Sequence, residues 1–235
     1  STQVGSSAAS ECIRDRFWLY VSKMSRYERA GLDHVWSIHG SENHEMMHYS
    51  NALLALQALK NSPKYKGRIL PDGRDIKTHY EAWNSYYKEY CVSRAKYGLL
   101  VEVFSAYGPS YTLPEIMNMR DLSEDGVLRE RMDKLLHLIW ADWAVGQING
   151  VRGGGRTRIY QDESHNERRL TQWGSRDRWR YMSHALLNTG DWWSSWQVPN
   201  HPIQGMAFVM ATTGYHLPAV IMDIAQDVEG RGEYT

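Results

Sequence analysis

The stretch SEDGVLRERMDKLLHLIWADWAVGQI, residues 123–148, decides the fold class of this chain. Its apolar residues recur every three or four positions, which is the spacing of one face of an α-helix. Ser123 can cap the first turn, and Glu124 and Asp125 suit the positive end of the helix dipole. The apolar face consists of Val127, Leu128, Met132, Leu135, Leu136, Ile139 and Trp143. The sequence therefore predicts a long amphipathic helix over residues 123–148.

The same helical spacing continues on both sides of this stretch, and alternating patterns typical of strands are scarce. Clusters of Pro and Gly predict a surface loop at 61–75 and a break at Gly108-Pro109, and a run rich in Gly and Arg predicts another loop at 150–158. Further helices are expected over 8–29, 43–59, 76–104, a short piece from Pro114, and near 167–187, 201–213 and 216–227. We expect an all-α protein.

The rhythm of helix, loop and antiparallel helix fits an α/α toroid, an incomplete barrel of helical hairpins, or a helical bundle. A length of 235 residues fits one domain over 1–235 or part of a larger protein. Because the final residues 230–234 do not resemble a natural end, we expect the chain to be a fragment whose toroid needs more helices.

Composition excludes several classes of function. Lys and Arg number 27 and so do Asp and Glu, so the chain lacks the net basic charge that drives nucleic-acid binding. No apolar run approaches the roughly 20 residues that cross a bilayer, and residues 1–10 lack the order of a signal peptide. Cys12 and Cys91 are too few for a disulfide framework or a thiolate metal site, which leaves one bridge or two buried thiols.

Residues 41–48, SENHEMMH, carry two overlapping chemical patterns at the start of one predicted helix. In the first, His44-Glu45-x-x-His48 is the zinc-protease pattern, in which two His share a helix face and Glu45 polarises a metal-bound water. No His follows in the ten residues after His48 to act as third ligand, although Glu81 and Glu89 on the next helix could serve. A purely structural role for His48 is the alternative.

The second pattern is the adjacent pair Asn43-His44. A lyase acting on a polyuronate must remove the weakly acidic C5 proton beside a carboxylate and expel the oxygen at C4. An amide or a shared proton neutralises the carboxylate, a neutral His or Tyr accepts the proton, and a Tyr hydroxyl protonates the leaving oxygen. A helix-capping Asn beside a surface His is the structural alternative.

Three ordered blocks carry a resemblance to a known family. They are Gly40-Ser41-Glu42-Asn43-His44, then Val101-Glu102-Val103-Phe104-Ser105 leading to Tyr111-Thr112, then Asn149-Gly150 with Gly153-Gly154-Gly155-Arg156-Thr157-Arg158-Ile159-Tyr160. Together they resemble bacterial α/α-toroid polysaccharide lyases and lyase-like proteins, and more remotely alginate and glucuronan lyases and the toroid domain of heparinase-type enzymes. The likeness extends over about residues 36 to 160, with a weaker echo at 215–234.

This resemblance implies catalytic roles by position. Asn43 would neutralise the carboxylate, His44 would be the base, and Tyr111 the general acid, with Tyr107 or Tyr160 as replacements. Glu102 would orient a partner or hydrogen-bond the sugar; pairing with a basic side chain is the alternative. The chain has Glu42 where a second Asn commonly precedes the His in alginate lyases, which puts the identity of the neutraliser in doubt.

The resemblance also implies how substrate is held. Arg156 and Arg158 would grip the uronate carboxylate bidentately, unless they are solvated loop charges. With Tyr107 and Tyr160 they make the predicted binding set, to which an exposed Trp192 would add a sugar platform. Packing between helices is the alternative for Trp192 and its neighbours Trp173, Trp179, Trp193 and Trp196.

We therefore expect a secreted or periplasmic bacterial lyase that cleaves an acidic polysaccharide by β-elimination. The predicted chemistry requires no cofactor, although a bound metal is compatible with it, and nucleic acid and membrane are not expected as partners. A glycoside hydrolase on the same toroid, with Glu102 or another carboxylate as acid, is one alternative. A glycan-binding module without catalysis is another, and the zinc protease is the least favoured.

Overall fold

The fold is taken from a computed structural model, which describes residues 2–102, 104–105, 107–152, 178–189, 209–227 and 229–230. The helices are α1 Thr2–Met24, α2 Glu42–Lys60, α3 Ile76–Tyr97, α4 Leu113–Leu122, α5 Gly126–Gly146, α6 Arg178–Leu187 and α7 Ala219–Gln226. Short 3-10 turns at Tyr27–Arg29 and Leu32–His34, a π-helical turn at Gly108–Thr112, and the strands β1 Gln147–Ile148 and β2 Val151–Arg152 complete the order. The prediction of an all-α protein is confirmed.

Helices α2 and α3 form an antiparallel pair. The start of α2 meets the end of α3, where Glu42 pairs with Arg94. Near the middle, Tyr49 stacks on Trp83 with ring centroids 4.4 Å apart. The loop at 61–75 reverses the chain between the two helices, as its Pro and Gly content predicts.

Helices α4 and α5 form a second antiparallel pair that lies against the first. Helix α4 runs parallel to α2, because Glu115 meets Ser50 early in α4 and Gln57 meets the Leu122 carbonyl at its end. Helix α5 runs parallel to α3, since Asn84 meets Asp125 and Cys91 meets Met132 further along. The result is two layers, α2 with α4 and α3 with α5, in which neighbours within a layer are parallel.

Buried tryptophans lie in two parts of the core. Trp83 stacks on Tyr49 between α2 and α3, whereas Trp140 and Trp143 of α5 contact Trp179 of α6, with Trp143 stacked on Trp179 at 5.3 Å. All four are completely buried, and because indole rings remove a large apolar area from water, they contribute to the driving force for folding. Trp179 therefore packs between helices and is not a sugar platform. Trp173, Trp192, Trp193 and Trp196 lie outside the described residues.

Several predicted boundaries are wrong at the ends of helices. The first helix ends at Met24 and not at 29, and a short 3-10 turn at Tyr27–Arg29 follows it. Helix α3 ends at Tyr97 and not at 104, because Gly98 adopts φ +141°, outside the helical region. Helix α5 is capped by Asp125, whose carboxylate accepts from the Leu128 N–H, and not by Ser123.

Two further expectations are corrected, one for the segment after α5 and one for the cysteines. A short hairpin pairs β1 with β2, so helix α5 stops at Gly146, and the strand Val151–Arg152 lies within the loop predicted at 150–158. Cys12 is exposed and Cys91 buried, and both are free thiols, so the disulfide alternative is wrong. No described helix has both the length and the apolar character that crossing a bilayer requires.

Asp125 links the α2–α3 helix pair to the α4–α5 helix pair, and the contribution of this link to stability can be measured. Burial alone would raise the pKa of Asp125, but hydrogen bonds from Asn84, Lys88 and the Leu128 N–H outweigh it and hold the pKa well below its usual value. We expect Asp125→Asn to lower the free energy of unfolding at neutral pH by about 1–2 kcal/mol. Chemical denaturation followed by circular dichroism measures this loss.

The pH dependence of that difference provides a second readout. A carboxylate whose folded pKa is lowered stabilises the protein above its unfolded pKa, and this stability is lost as the pH falls through about 3.9 towards the folded value. The gap between wild type and Asp125→Asn should therefore shrink in acid. Asp33→Asn, at a carboxylate whose side chain is 84% exposed, is the matched control and should change little. A gap that does not depend on pH would contradict this account.

Candidate functional site

The N-terminal turn of α2 is anchored by Glu42, its first residue. The Glu42 carboxylate accepts hydrogen bonds from the backbone N–H of Val101 at 3.0 Å and of Glu102 at 2.9 Å. It also lies 2.9 Å from Nη1 of Arg94, in an ion pair whose atoms are not aligned as a hydrogen bond. Arg94 is only 2% exposed and its guanidinium stacks 4.0 Å from the Trp36 ring. This anchor fixes the segment after α3 against the start of α2.

Glu45 stabilises the same turn from the other side. Its carboxylate reaches back to accept from the backbone N–H of His39 and of Gly40, the latter at 3.0 Å. This is the geometry of a capping interaction, in which a Glu in the first turn satisfies N–H groups that precede the helix. The Glu45 carboxylate is therefore occupied by hydrogen bonds from the backbone.

The His44 and His48 rings are both exposed, with centroids 6.4 Å apart. Of the carboxylates considered as third zinc ligands, Glu81 pairs with Lys77 and Glu89 accepts from Ser93. Among the described residues, no three His, Cys, Asp or Glu side chains are grouped to hold a metal ion.

Asn43 and His44 differ sharply in their surroundings although they are neighbours. Asn43 is 3% exposed, and its amide oxygen accepts from the Ser41 hydroxyl. Its amide nitrogen donates to nothing within the described part of the chain. The exposed His44 ring likewise makes no hydrogen bond there. One donor and one imidazole are thus available to a ligand on adjacent residues.

Tyr107 and Tyr111 lie alongside this part of α2. The π-helical turn Gly108–Thr112 packs against α2 and leads directly into α4, which runs parallel to it. Because Glu115 contacts Ser50 and Asn51, Tyr111 lies one turn earlier, beside the turn of α2 that carries Met47. The Tyr107 and Tyr111 rings stack at 5.7 Å and both are half-buried.

The third sequence block approaches the same end of the bundle through the β hairpin. The guanidinium of Arg152, on β2, lies 3.5 Å from the centre of the Phe104 ring. Phe104 follows Glu102, whose side chain accepts from Ser105 at 3.2 Å. The segments around 42–44, 101–105 and 147–152 therefore meet at one end of the helices. Arg156, Arg158, Tyr160 and Trp192 lie outside the described residues.

Sequence analysis missed Glu115, which lies next to the predicted residues. Its carboxylate accepts from Ser50 Oγ at 2.9 Å and from Asn51 Nδ2 at 3.4 Å. Burial raises the pKa of Glu115 although hydrogen bonds from Ser50, Asn118 and Asn51 oppose the shift. The spacing of four residues from Tyr111, one helical turn, was the available signal.

Tyr20 of α1 is a second residue that the patterns did not reveal. Its hydroxyl donates to the His48 carbonyl at 2.9 Å. Burial, followed by the nearby Glu115 carboxylate, raises the pKa of Tyr20 to about 12. We call Asn43, His44, Tyr107, Tyr111 and Glu115 the α2 site, because these residues lie on α2 or in the segments that pack against it.

The opposite side of α2 lines a small cavity of about 20 Å³, which has room for one or two water molecules. Arg94 Nε and the Tyr90 hydroxyl are buried there and meet no hydrogen-bond partner among the described residues, so an ordered water is the simplest way to satisfy them. The lining comprises Val35, Ser37, Ile38, Glu42, Glu45, Met46, Tyr49, Tyr86, Tyr87, Tyr90 and Arg94.

Comparison with known proteins adds no relative: no family model, no curated protein and no solved structure matches this chain. The roles implied by resemblance therefore remain predictions.

The Glu42 anchor can be tested by breaking it from one side. We expect Arg94→Met to destabilise the protein by about 3–5 kcal/mol, because Glu42 is left charged and buried without its cation. Thermal and chemical unfolding measure the loss. The double variant Glu42→Met with Arg94→Met should recover part of it, since no charge is then stranded.

The control for that experiment is the exposed pair Lys77 and Glu81 on α3, with side chains 73% and 62% exposed. Removing Lys77 should cost at most about 0.5 kcal/mol. If Arg94→Met were as mild as Lys77→Met, the anchor would not hold this end of the fold.

Proposed function

We propose that the protein is a polysaccharide lyase that cleaves a uronic-acid-containing polysaccharide by β-elimination. The observation that supports this most is the meeting of the segments 42–44, 101–105 and 147–152 at one end of the helices. Glu42 and Glu102 belong to the first two blocks through which the sequence resembles toroid lyases. Of the third block, only Asn149 and Gly150, in the turn of the β hairpin, lie within the described residues.

The chemistry proposed for the α2 site uses the hydrogen-bond donor, the base and the acid that its side chains can offer a substrate. The amide nitrogen of Asn43 donates to the uronate carboxylate, which makes loss of the C5 proton easier. His44 takes that proton as its exposed neutral imidazole, and Tyr111 protonates the oxygen that leaves C4. After the product leaves, His44 releases its proton to water and Tyr111 regains one from water, which restores both side chains.

Glu42 has a structural role in this proposal. Its carboxylate is occupied by two backbone N–H groups and Arg94, so it does not compete with Asn43 for the substrate. Arg156, Arg158, Tyr160 and Trp192 remain the proposed binding residues on the substrate side. An acidic polysaccharide as substrate fits action outside the cytoplasm, and the chemistry asks for no cofactor.

We also propose that the helices belong to an α/α toroid. In such a fold, inner helices run parallel to one another and antiparallel to the outer ones. The layers α2 with α4 and α3 with α5 have this relation over the part of the chain that the structure describes. The α2 site then lies at the end of an inner layer, where loops gather at one rim.

Digestion of a panel of uronate polymers tests the reaction. The product of β-elimination carries a new carbon–carbon double bond that absorbs in the ultraviolet, and His44→Ala should slow its appearance by about 10² to 10⁴. His48→Ala is the matched control, because His48 is an exposed ring one turn further along α2. Equal rates for wild type and His44→Ala would overturn the assignment of the base.

A glycoside hydrolase is the second candidate, and Glu115 is the observation that favours it. A partly buried carboxyl group with a raised pKa is the usual form of a general acid in such enzymes. Hydrolysis would give saturated products, and Glu115→Gln would then lower the rate by about 10² to 10⁴.

If the protein is a lyase, Glu115→Gln should preserve the unsaturated product and change its rate by less than about tenfold, because Gln still accepts from Ser50 and Asn51. Mass spectrometry separates the two products by the mass of one water. If the wild type gives the unsaturated product and Glu115→Gln has no activity, Glu115 takes part in the elimination. That result would contradict the assignment.

A further inference from the structure

A second cluster of reactive groups lies away from the α2 site, where the end of α1 meets the start of α3. Ser25 Oγ lies 2.7 Å from Nδ1 of His79. Nε2 of the same ring lies 3.0 and 2.9 Å from the two carboxylate oxygens of Asp72. Ser, His and Asp thus form one continuous chain of hydrogen bonds, built from residues 54 and seven positions apart in sequence.

The donors and acceptors in this chain fix the state of the neutral ring. An ionised carboxylate only accepts, so Nε2 of His79 carries the hydrogen and Nδ1 presents its lone pair. Ser25 must then donate its hydroxyl hydrogen to Nδ1. This is the arrangement in which an imidazole can remove the proton of a serine while a carboxylate holds the ring in the right tautomer.

Each member of the chain is held in place by further contacts. His79 is 1% exposed, and the Tyr27 ring packs edge-on against it at 5.4 Å. Burial alone would raise the pKa of Asp72, but hydrogen bonds from His79 and Arg74 outweigh it and lower the pKa. Asp72 therefore stays ionised beside the ring and can stabilise an imidazolium.

Ser25 itself remains partly accessible. It follows the last residue of α1 and is half-buried, unlike His79. The backbone N–H groups of Arg26 and Tyr27 donate to no acceptor in the described structure. In serine hydrolases, the N–H of the residue after the nucleophile commonly binds the oxyanion.

We propose that Ser25, His79 and Asp72 form an acyl-transfer site that hydrolyses short-chain carboxylic esters. Ser25 Oγ attacks the carbonyl carbon as its proton passes to Nδ1 of His79, and the ester C–O bond breaks as that proton passes to the leaving alcohol. Water then attacks the acyl-serine with His79 again as base, which releases the carboxylic acid and restores Ser25. Ser25 is half-buried and Tyr27 packs against the buried ring of His79, which favours small acyl groups.

Labelling with a fluorophosphonate probe tests this site directly, because the probe phosphonylates an activated serine, whose oxygen displaces fluoride from phosphorus. We expect folded wild-type protein to gain one label, located on Ser25 by peptide mass spectrometry, and to hydrolyse p-nitrophenyl acetate. Ser25→Ala should abolish the label and lower hydrolysis by about 10² to 10⁴. Asp72→Asn, which disturbs the tautomer while leaving an acceptor, should slow labelling by a comparable factor.

Ser22→Ala is the matched control. Ser22 lies three residues before Ser25, but its hydroxyl donates to the Leu19 carbonyl and has no imidazole partner. It should label and hydrolyse like the wild type. Absence of label on folded wild-type protein, or a label on any other serine, would overturn the proposal whatever the variants do. The outcome does not depend on whether uronate polymers are cleaved.

Discussion

The ion pair between Glu42 and Arg94 is the constraint on which the rest of this end of the molecule depends. Removing two charges from water is costly, and their attraction compensates best when hydrogen bonds satisfy the groups that remain. The N–H groups of Val101 and Glu102 satisfy Glu42, and the Arg94 guanidinium packs on the face of Trp36, while its Nε meets no partner among the described residues. One carboxylate therefore joins α2, α3 and the segment 98–107. No apolar replacement could set that register, because apolar contacts do not select particular N–H groups.

Once this register is set, the helical period divides α2 into sides with different tasks. Glu42, Met46 and Tyr49 recur on the side that faces α3 and the cavity. Ser50 and, two turns earlier, Asn43 lie on the side towards α4 and the π-helical turn. His44 and His48 remain exposed on a third side. The reactive groups thus stand on a rigid, well-packed helix, which holds side chains more accurately than a loop does.

The sequence predicts what depends on local periodicity and misses what depends on distant contacts. Helices α2 and α5 follow from their apolar spacing, whereas the roles of Asn43 and Tyr111 stay predictions. Glu115 was missed because its burial and its contact with Ser50, 65 residues away, arise only in the folded protein. The serine, histidine and aspartate cluster was missed for the same reason, since Ser25 and His79 are 54 residues apart. Glu42 stands where a second Asn commonly precedes the His in alginate lyases. The hydrogen-bond and ion-pair partners of Glu42 account for this difference, and a pattern of residue types does not reveal them.

The two clusters of reactive side chains differ in how completely their hydrogen bonds are satisfied. The amide nitrogen of Asn43 donates to no described residue, but it is open to solvent, so water can satisfy it. His79 has both ring nitrogens paired, which stabilises the junction of α1 and α3 at the same time as it orients Ser25. A donor that water satisfies can exchange that water for a ligand at little cost. A satisfied chain of donors is compatible with structure alone, so only the reactivity of its last hydroxyl distinguishes a nucleophile from a structural contact.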